Sequence, residues 1–79
     1  MKNDKIEIIQ INISGEDKPG LTSSLTGILA RHDAFILDIG QSNIHQSLTL
    51  GILFMTTAER SGQIMKELLF KASEMNIQI

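Results

Sequence analysis

Two different hydrophobic periods alternate along this chain, and their order is the feature that most restricts how it can fold. Within the segment Ile6–Ile13, isoleucine fills every second position from Ile9 onward, a spacing typical of a strand with one buried side. After a turn-rich break, apolar residues recur every three or four positions, which predicts an amphipathic helix over about residues 19–32. Pro19 suits the first helical position because its fixed φ favours a helix start, and Asp33 ends the helix.

The middle of the chain carries two further strand signals. Residues 34–39 are mostly apolar strand formers, and Gly40 directly after them indicates a β-bulge or a close backbone approach. A polar hairpin turn over residues 43–47 follows this second strand. Apolar residues then alternate from Leu48 to Phe54, which predicts a third strand.

A second amphipathic helix follows a helix-capping stretch over residues 56–61. Its apolar face runs from Ile64 to Met75, Asn76 closes it, and Ile77–Ile79 begin a short fourth strand. The order of elements is therefore β-α-β-β-α-β. This order predicts an α+β fold, the ferredoxin-like βαββαβ plait, with a four-stranded antiparallel sheet and two helices on one face.

The length of the chain allows one small domain, which we assign to residues 1–79. Because the fourth strand stops abruptly at Ile79, we expect this domain to be the N-terminal piece of a longer chain. A domain of this size buries only roughly 60% of the surface that its unfolded chain exposes. Pairing with a second domain or subunit would therefore stabilise it.

Composition excludes several classes of function. The chain has no cysteine, which removes disulfides, thiolate metal sites and cysteine nucleophiles. Seven Lys and Arg against nine Asp and Glu give a net charge of −2 with no basic cluster, so we expect no nucleic-acid partner. Three Phe and no Tyr or Trp also argue against base stacking. Since neither an apolar run of about 18 residues nor a signal peptide is visible, we expect a cytoplasmic protein with no membrane partner.

The segment Gly15–Leu21 is the strongest candidate for a binding site. A loop that leads into a helix start presents backbone N–H groups at the positive end of the helix dipole, which favours an anion such as a carboxylate. Gly20 would let a small ligand approach the backbone closely, and Asp17 would either cap the helix or hold the ammonium group of an amino acid. The alternative is structural, with Asp17 as a cap, Pro19 as a helix starter and Gly20 as a packing residue.

Four segments of the chain are informative when taken together. They read Gly-Glu-Asp-Lys-Pro-Gly, Ile-Leu-Asp-Ile-Gly-Gln, Leu-Gly-Ile-Leu and Met-Lys-Glu-Leu-Leu-Phe-Lys-Ala, at Gly15–Gly20, Ile36–Gln41, Leu50–Leu53 and Met65–Ala72. Together they resemble the ACT family of regulatory domains, and most closely the ACT domain at the N-terminus of bacterial phosphoserine phosphatases. The first two segments are the most specific for the ACT family, and the last two favour the phosphatase group. The resemblance covers essentially the whole chain.

The resemblance implies a regulatory domain that pairs with another copy, as a homodimer or an intramolecular pair, and binds a small amino acid, typically L-serine, at the interface. The ligand would lie between the first strand–helix loop of one copy and the second strand of the facing copy. In this sequence the loop positions are Asp17, Gly20 and Leu21, and the strand positions are Asp38, Ile39, Gly40 and Gln41. The exposed edge of the second strand is the expected pairing surface. Some family members only dimerise, so a purely structural role is the alternative.

The resemblance also implies that this segment is not itself an enzyme. Phosphatases of the haloacid dehalogenase type need an Asp-x-Asp motif with Mg²⁺, whereas Asp38 here is followed by Ile39 and Gly40. We therefore expect no catalytic residue, cofactor or metal site in this segment, and a Mg²⁺-dependent phosphoserine phosphatase domain beyond Ile79. The alternative is a free-standing ACT regulator that acts through protein contacts, like the repressor of the glycine cleavage system.

The remaining polar candidates are isolated residues. We expect His32 at the end of the first helix, where the helix dipole favours it, and His45 and Asn43 in the hairpin turn, where either could contact a ligand or partner. Arg31 and Arg60 lie near the ends of other elements and not in the anion-binding loop. That placement argues against an acyl-phosphate-hydrolysing enzyme.

Overall fold

The structure is a computed structural model that describes residues 5–79. Within these residues the chain forms three strands and two helices, in the order predicted for the first five elements. Neither helix in this part of the chain is long and apolar enough to cross a membrane. The bounds of the elements are β1 Ile6–Glu16, α1 Leu21–Arg31, β2 Phe35–Ile44, β3 Ser47–Thr57 and α2 Ala58–Met75.

The central strand of the antiparallel sheet is β3, and the strand order is β1-β3-β2. Both neighbours pair with β3 along most of their length: Ile11 lies opposite Ile52 on one side, and Gln41 lies opposite Leu50 on the other. Opposite residues of an antiparallel pair point to the same side of the sheet. The register therefore fixes which side chains face the helices.

Both helices cover one side of the sheet and enclose an aliphatic core. Alternate residues of β3 from Leu48 to Phe54 are buried on that side, with α1 packed over β2 and α2 packed over β1 and β3. The apolar positions that predicted the elements thus form the core, and the ferredoxin-like α+β fold with two helices on one face is confirmed. The other elements contribute Ile11, Ile13, Leu21, Leu25, Ile28, Leu29, Ile64, Leu68 and Ala72.

The sheet has three strands within residues 5–79, not the four that the sequence predicted. The C-terminal segment forms one isolated bridge, in which Ser14 and Gln78 exchange two backbone hydrogen bonds of 2.9 Å. Ile77 and Ile79 on either side pack against the core, as side chains of a strand would. After Asn76, the C-cap residue of α2, residues 77–79 make this single exchange with β1 and no continuous ladder within residues 5–79.

A bulge lies near the start of β2, at Leu37. The sequence predicted a bulge or a close backbone approach at Gly40, but nothing lies within 4 Å of a Cβ built there. Ile36 and Asp38 pair with two consecutive residues of β3, so Leu37 is the extra residue, whereas Gly40 pairs regularly. Because side chains alternate along a strand, the extra residue shifts the alternation by one position. Ile36 and Ile39 therefore share the helical side of the sheet, while Asp38 and Gly40 lie on the other side.

Charged residues tie the C-terminal end of α1 to α2. One oxygen of the Glu67 carboxylate accepts a 2.7 Å hydrogen bond from Arg31, and the other lies 2.9 Å from Nε2 of His32. Arg60 donates to the backbone carbonyl of His32 at 2.9 Å and to the carboxylate of Asp33 at 3.1 Å. The hydrogen bonds from His32 and Arg31 hold the pKa of Glu67 below its ordinary value of 4.5.

We expect the Glu67 contacts to stabilise the fold at neutral pH and to be lost in acid. The pKa of Glu67 is lower in the folded chain than in the unfolded chain, so the stabilisation is present above pH 4.5 and disappears as the pH falls through the folded value. Glu67→Gln should lower the free energy of unfolding at neutral pH and approach wild type in acid, as measured by urea denaturation. The control is Glu74→Gln, because Glu74 pairs with Lys71 inside the same helix. Equal losses in both variants would contradict the prediction.

Two glycines give opposite expectations for substitution by alanine. A Cβ on Gly15 would lie 2.9 Å from Cγ2 of Ile77, so Gly15→Ala should displace the C-terminal segment and lower stability by about 1 kcal/mol. Gly62 lies within α2 with nothing within 4 Å of its Cβ position, so Gly62→Ala should raise stability by about 0.5–1 kcal/mol. Urea denaturation measures the free energy of unfolding of both variants. If both substitutions raised it, or both lowered it, the prediction of opposite effects would be wrong.

Candidate functional site

A tight turn joins β1 to α1, and it corrects the prediction that Pro19 is the first helical residue. The backbone N–H of Leu21 donates to the carbonyl of Lys18 at 3.2 Å, and Gly20 has φ 78° and ψ 3°. These angles belong to the third residue of a type II turn, which favours glycine and commonly has proline just before it. Pro19 and Gly20 therefore build the turn, and α1 begins at Leu21.

The first turn of α1 presents unpaired backbone donors. The N–H of Ser24 donates to the carbonyl of Gly20 at 2.9 Å, whereas the N–H groups of Thr22 and Ser23 have no hydrogen-bond partner among residues 5–79. No side chain caps this helix. The helix dipole places partial positive charge at the same point, and both features favour an anion. That a carboxylate binds there stays a prediction.

The structure does not use Asp17 as a helix cap, which was one of its two predicted roles. Its backbone N–H donates to the carbonyl of Gln46, at the tip of the β2–β3 hairpin, at 2.9 Å. Its carboxylate accepts a 2.6 Å hydrogen bond from the side-chain amide of Asn43. Gly20 occupies the cap position instead. Asp17 is thus directed towards the end of β2.

Four side chains link the loop, the second strand and the helix start, and we call them the polar chain: Asp17, Asn43, Gln41 and Thr22. After the contact between Asn43 and Asp17, the Gln41 amide donates to Oδ1 of Asn43 at 3.0 Å. The hydroxyl of Thr22 donates to Oε1 of Gln41 at 3.2 Å. All four residues are at least partly accessible to solvent. The polar chain therefore connects the Asp17 carboxylate, through two side-chain amides, to Thr22 in the first turn of α1, where the unpaired N–H groups lie.

The register divides the predicted strand residues between the two sides of the sheet. Ile39 and Gln41 lie on the helical side, opposite buried residues of β3. Asp38 and Gly40 lie on the other side, and one Asp38 oxygen accepts a 2.9 Å hydrogen bond from the N–H of Ile39. Within one chain, hydrogen bonds link Gln41 to Asp17 through Asn43, and to Thr22, which follows Gly20 by two positions. Asp38 and Gly40 lie on the opposite side of the sheet.

Leu21 and Lys18 attach the loop to the core and to the end of α2. The side chain of Leu21 is 1% exposed and belongs to the core, and its N–H is bonded within the turn. The ammonium group of Lys18 donates to the carbonyl of Met75 at the end of α2. Leu21 therefore positions the loop, and its own side chain is not available to a ligand in this conformation.

Thr22 was not among the sequence candidates, and Asn43 was one only as a turn residue. Asn43 follows Gln41 by two positions and so shares its side of the strand, a signal that the sequence contains once β2 is known to continue to Ile44. For Thr22 no comparable signal exists, because its contact with Gln41 depends on how α1 crosses β2.

A separate groove of about 890 Å³ runs between α1 and α2. Its charged side chains largely pair with one another, Arg31 with Glu67 and Lys71 with Glu74. It opens between the helices, whereas Thr22 faces β2. Within the described residues, no three His, Cys, Asp or Glu side chains gather as a metal site would require.

Comparison with known sequences identifies the family. The sequence profile of the ACT domain matches residues 7–79. The phosphoserine phosphatase SerB2 of Mycobacterium tuberculosis is 41% identical over 49 residues, which are 62% of this chain and 12% of that enzyme. The chain thus spans about one eighth of the length of this curated relative.

Solved structures agree on the fold. A protein described as a glycine cleavage system transcriptional repressor superposes with a TM-score of 0.87 at 15% identity, covering 92% of this chain and 43% of that one. The formyltetrahydrofolate deformylase of Burkholderia mallei superposes with a TM-score of 0.81 at 15% identity, covering 91% of this chain and 26% of the deformylase. An ACT domain protein of Streptococcus pneumoniae superposes with a TM-score of 0.74 at 19% identity, covering 95% of this chain and 85% of that protein. This chain belongs to the ACT domain family of regulatory domains.

Proposed function

We propose that this domain pairs with a second ACT domain and binds a small amino acid such as L-serine, and that it regulates a phosphoserine phosphatase. The observation that carries the binding proposal is the polar chain beside the unpaired N–H groups of α1. The 41% identity to phosphoserine phosphatase SerB2 over 49 residues supports the proposal that the parent protein is such an enzyme.

The chemistry of the polar chain suits a zwitterion. The N–H groups of Thr22 and Ser23 would take the ligand carboxylate, because donors at a helix start favour an anion. Asp17 keeps one carboxylate oxygen without a hydrogen bond, and with the amide oxygen of Gln41 it would take the ammonium group. Gly20 leaves the approach to these donors clear of a side chain.

The edge of β2 is the proposed pairing surface. Nearly every residue of β2 is exposed, including Ile39 at 43%, and the strand pairs only on the side of β3 within residues 5–79. It contains one charged residue, Asp38, and no proline or lysine that would protect an edge from another strand. A second copy at this edge would stand beside the polar chain, and its own Asp38, Ile39 and Gly40 could then complete the site.

Regulation follows from binding at a joint between two domains. A ligand that prefers one arrangement of the pair shifts the population towards it, and an attached enzyme would respond to that arrangement. In this proposal the catalytic domain lies beyond Ile79, requires Mg²⁺ as haloacid dehalogenase-type phosphatases do, and acts in the cytoplasm.

The binding proposal is tested by titrating the isotope-labelled chain with L-serine. We expect amide shifts at Gly20, Thr22 and Gln41, and about tenfold weaker binding in Asp17→Asn, because a charge-assisted hydrogen bond to the ammonium group is lost. Glu16→Gln is the matched control, since it removes the neighbouring carboxylate and leaves the polar chain intact. Sedimentation velocity establishes the oligomeric state under the same conditions.

Each outcome separates one part of the proposal from the rest. A dimer without shifts at Gly20 or Gln41 would remove ligand sensing and leave a domain that only dimerises. Equal losses of L-serine affinity in Asp17→Asn and Glu16→Gln would indicate that the ligand binds away from the polar chain. The parent enzyme is tested by the reading frame, since a stop codon directly after Ile79 would favour a free-standing regulator over a phosphatase.

A further inference from the structure

The side of the sheet away from the helices, which we call the open face, is uncovered among residues 5–79. It is formed by the odd-numbered residues of β3 and by the residues of β1 and β2 that pair with them. At one end, Met55 lies between Ile8 and Phe35, which are 62% and 61% exposed, and Ile6 beside them is 56% exposed. Three strands thus carry one continuous apolar row, which distinguishes it from single exposed residues.

The open face changes character along the strands. Next to the apolar row lie Gln10, Leu53 and Asp38, and beyond them Gly51 pairs with Gly40. The two glycines leave a shallow depression of about 240 Å³ bordered by Gln10, Asp38 and Leu53. A side chain from outside could therefore enter next to the Asp38 carboxylate, about 7 Å along the strand from the apolar row.

The strand residues of the open face carry charge of one sign. The two charged residues among them, Asp38 and Glu16, are both carboxylates. Asp38 accepts a hydrogen bond from the N–H of Ile39, but it has no ion pair within residues 5–79. A surface that covers the apolar row would also remove water from Asp38, and an unpaired carboxylate is costly to bury.

We propose that the open face is a second interaction surface, distinct from the edge of β2, for a protein partner that presents aliphatic side chains next to an arginine or lysine. The aliphatic side chains cover Ile8, Phe35 and Met55. The cationic side chain enters the glycine depression and pairs with Asp38. Apolar area supplies the attraction, and the cation restricts which partners are accepted.

A second copy of the open face does not meet these requirements. Its strand residues include no lysine or arginine. Arg60 borders the apolar row beside Ile6 and Met55, but its guanidinium already pairs with Asp33 and bonds to the carbonyl of His32. Two open faces packed together would therefore bring four carboxylates to one interface with no strand cation opposite Asp38. The depression would also receive no charged partner. The complementarity therefore favours a different protein surface over self-association.

The test replaces Phe35 with the photo-crosslinking residue p-benzoylphenylalanine in cells that produce the protein, and maps the crosslinked peptide by mass spectrometry. We expect one main partner, other than this chain, whose crosslinked peptide carries aliphatic residues beside an arginine or lysine. Asp38→Lys should reduce the crosslink about tenfold, and changing the partner's cation to glutamate should restore it. The same probe at Phe70, which is 66% exposed on α2, is the matched control.

Every other result overturns the proposal. A crosslink to the open face of a second copy would show self-association, and no crosslink would show a free surface. A crosslink that is unchanged in Asp38→Lys would remove the role of charge, and equal capture at Phe70 would show non-specific contact. Asp38→Asn, which keeps the side-chain shape, and Glu16→Lys, which changes charge at the far end, separate loss of the ion pair from general effects on folding. Of these two, only Asp38→Asn should weaken the crosslink.

Discussion

Burial of one side of β3 is the constraint on which the rest of this structure depends. The strand lies at the centre of the sheet, and its alternate residues Leu48, Leu50, Ile52 and Phe54 are buried beneath both helices. Full burial of such side chains contributes roughly 1.5–3 kcal/mol each, so the strand cannot turn over without losing most of the core. Because β3 pairs with both neighbours, its orientation also decides which residues of β1 and β2 face the helices.

Much of the fold is predictable from sequence because the core residues repeat with the period of their element. Ile9, Ile11 and Ile13 predicted β1, and the apolar residues of both helices predicted α1 and α2. The predicted strands ended too early, since the last residues of β1 and β2 are polar or exposed and carry no alternation. A fourth strand was predicted from Ile77–Ile79, but three residues give one bridge with β1 and no ladder.

The candidate site was predictable in part, and the bulge explains where the prediction stops. Asp17 and Gln41 were both predicted, and they come together because the end of β2 lies beside the loop after β1. Their shared side depends on Leu37, which the sequence does not mark as an extra residue. Without the bulge, alternation from Ile36 would have put Asp38 on the helical side and Gln41 on the opposite one. The sequence therefore identified these strand residues as candidates but could not predict which of them lie on the helical side of the sheet and which on the open face.

The extra residue at Leu37 decides which residues of β2 lie on each of its two sides. Beyond it, Gln41 and Asn43 point towards the start of α1 and join the polar chain, while Asp38 stands on the open face beside the apolar row. A ligand held by the polar chain contacts the same strand that carries Asp38. Any shift of β2 on ligand binding would therefore move the Asp38 carboxylate relative to the apolar row. Coupling between the proposed ligand site and the proposed partner surface then needs no long pathway, because both are opposite sides of one strand.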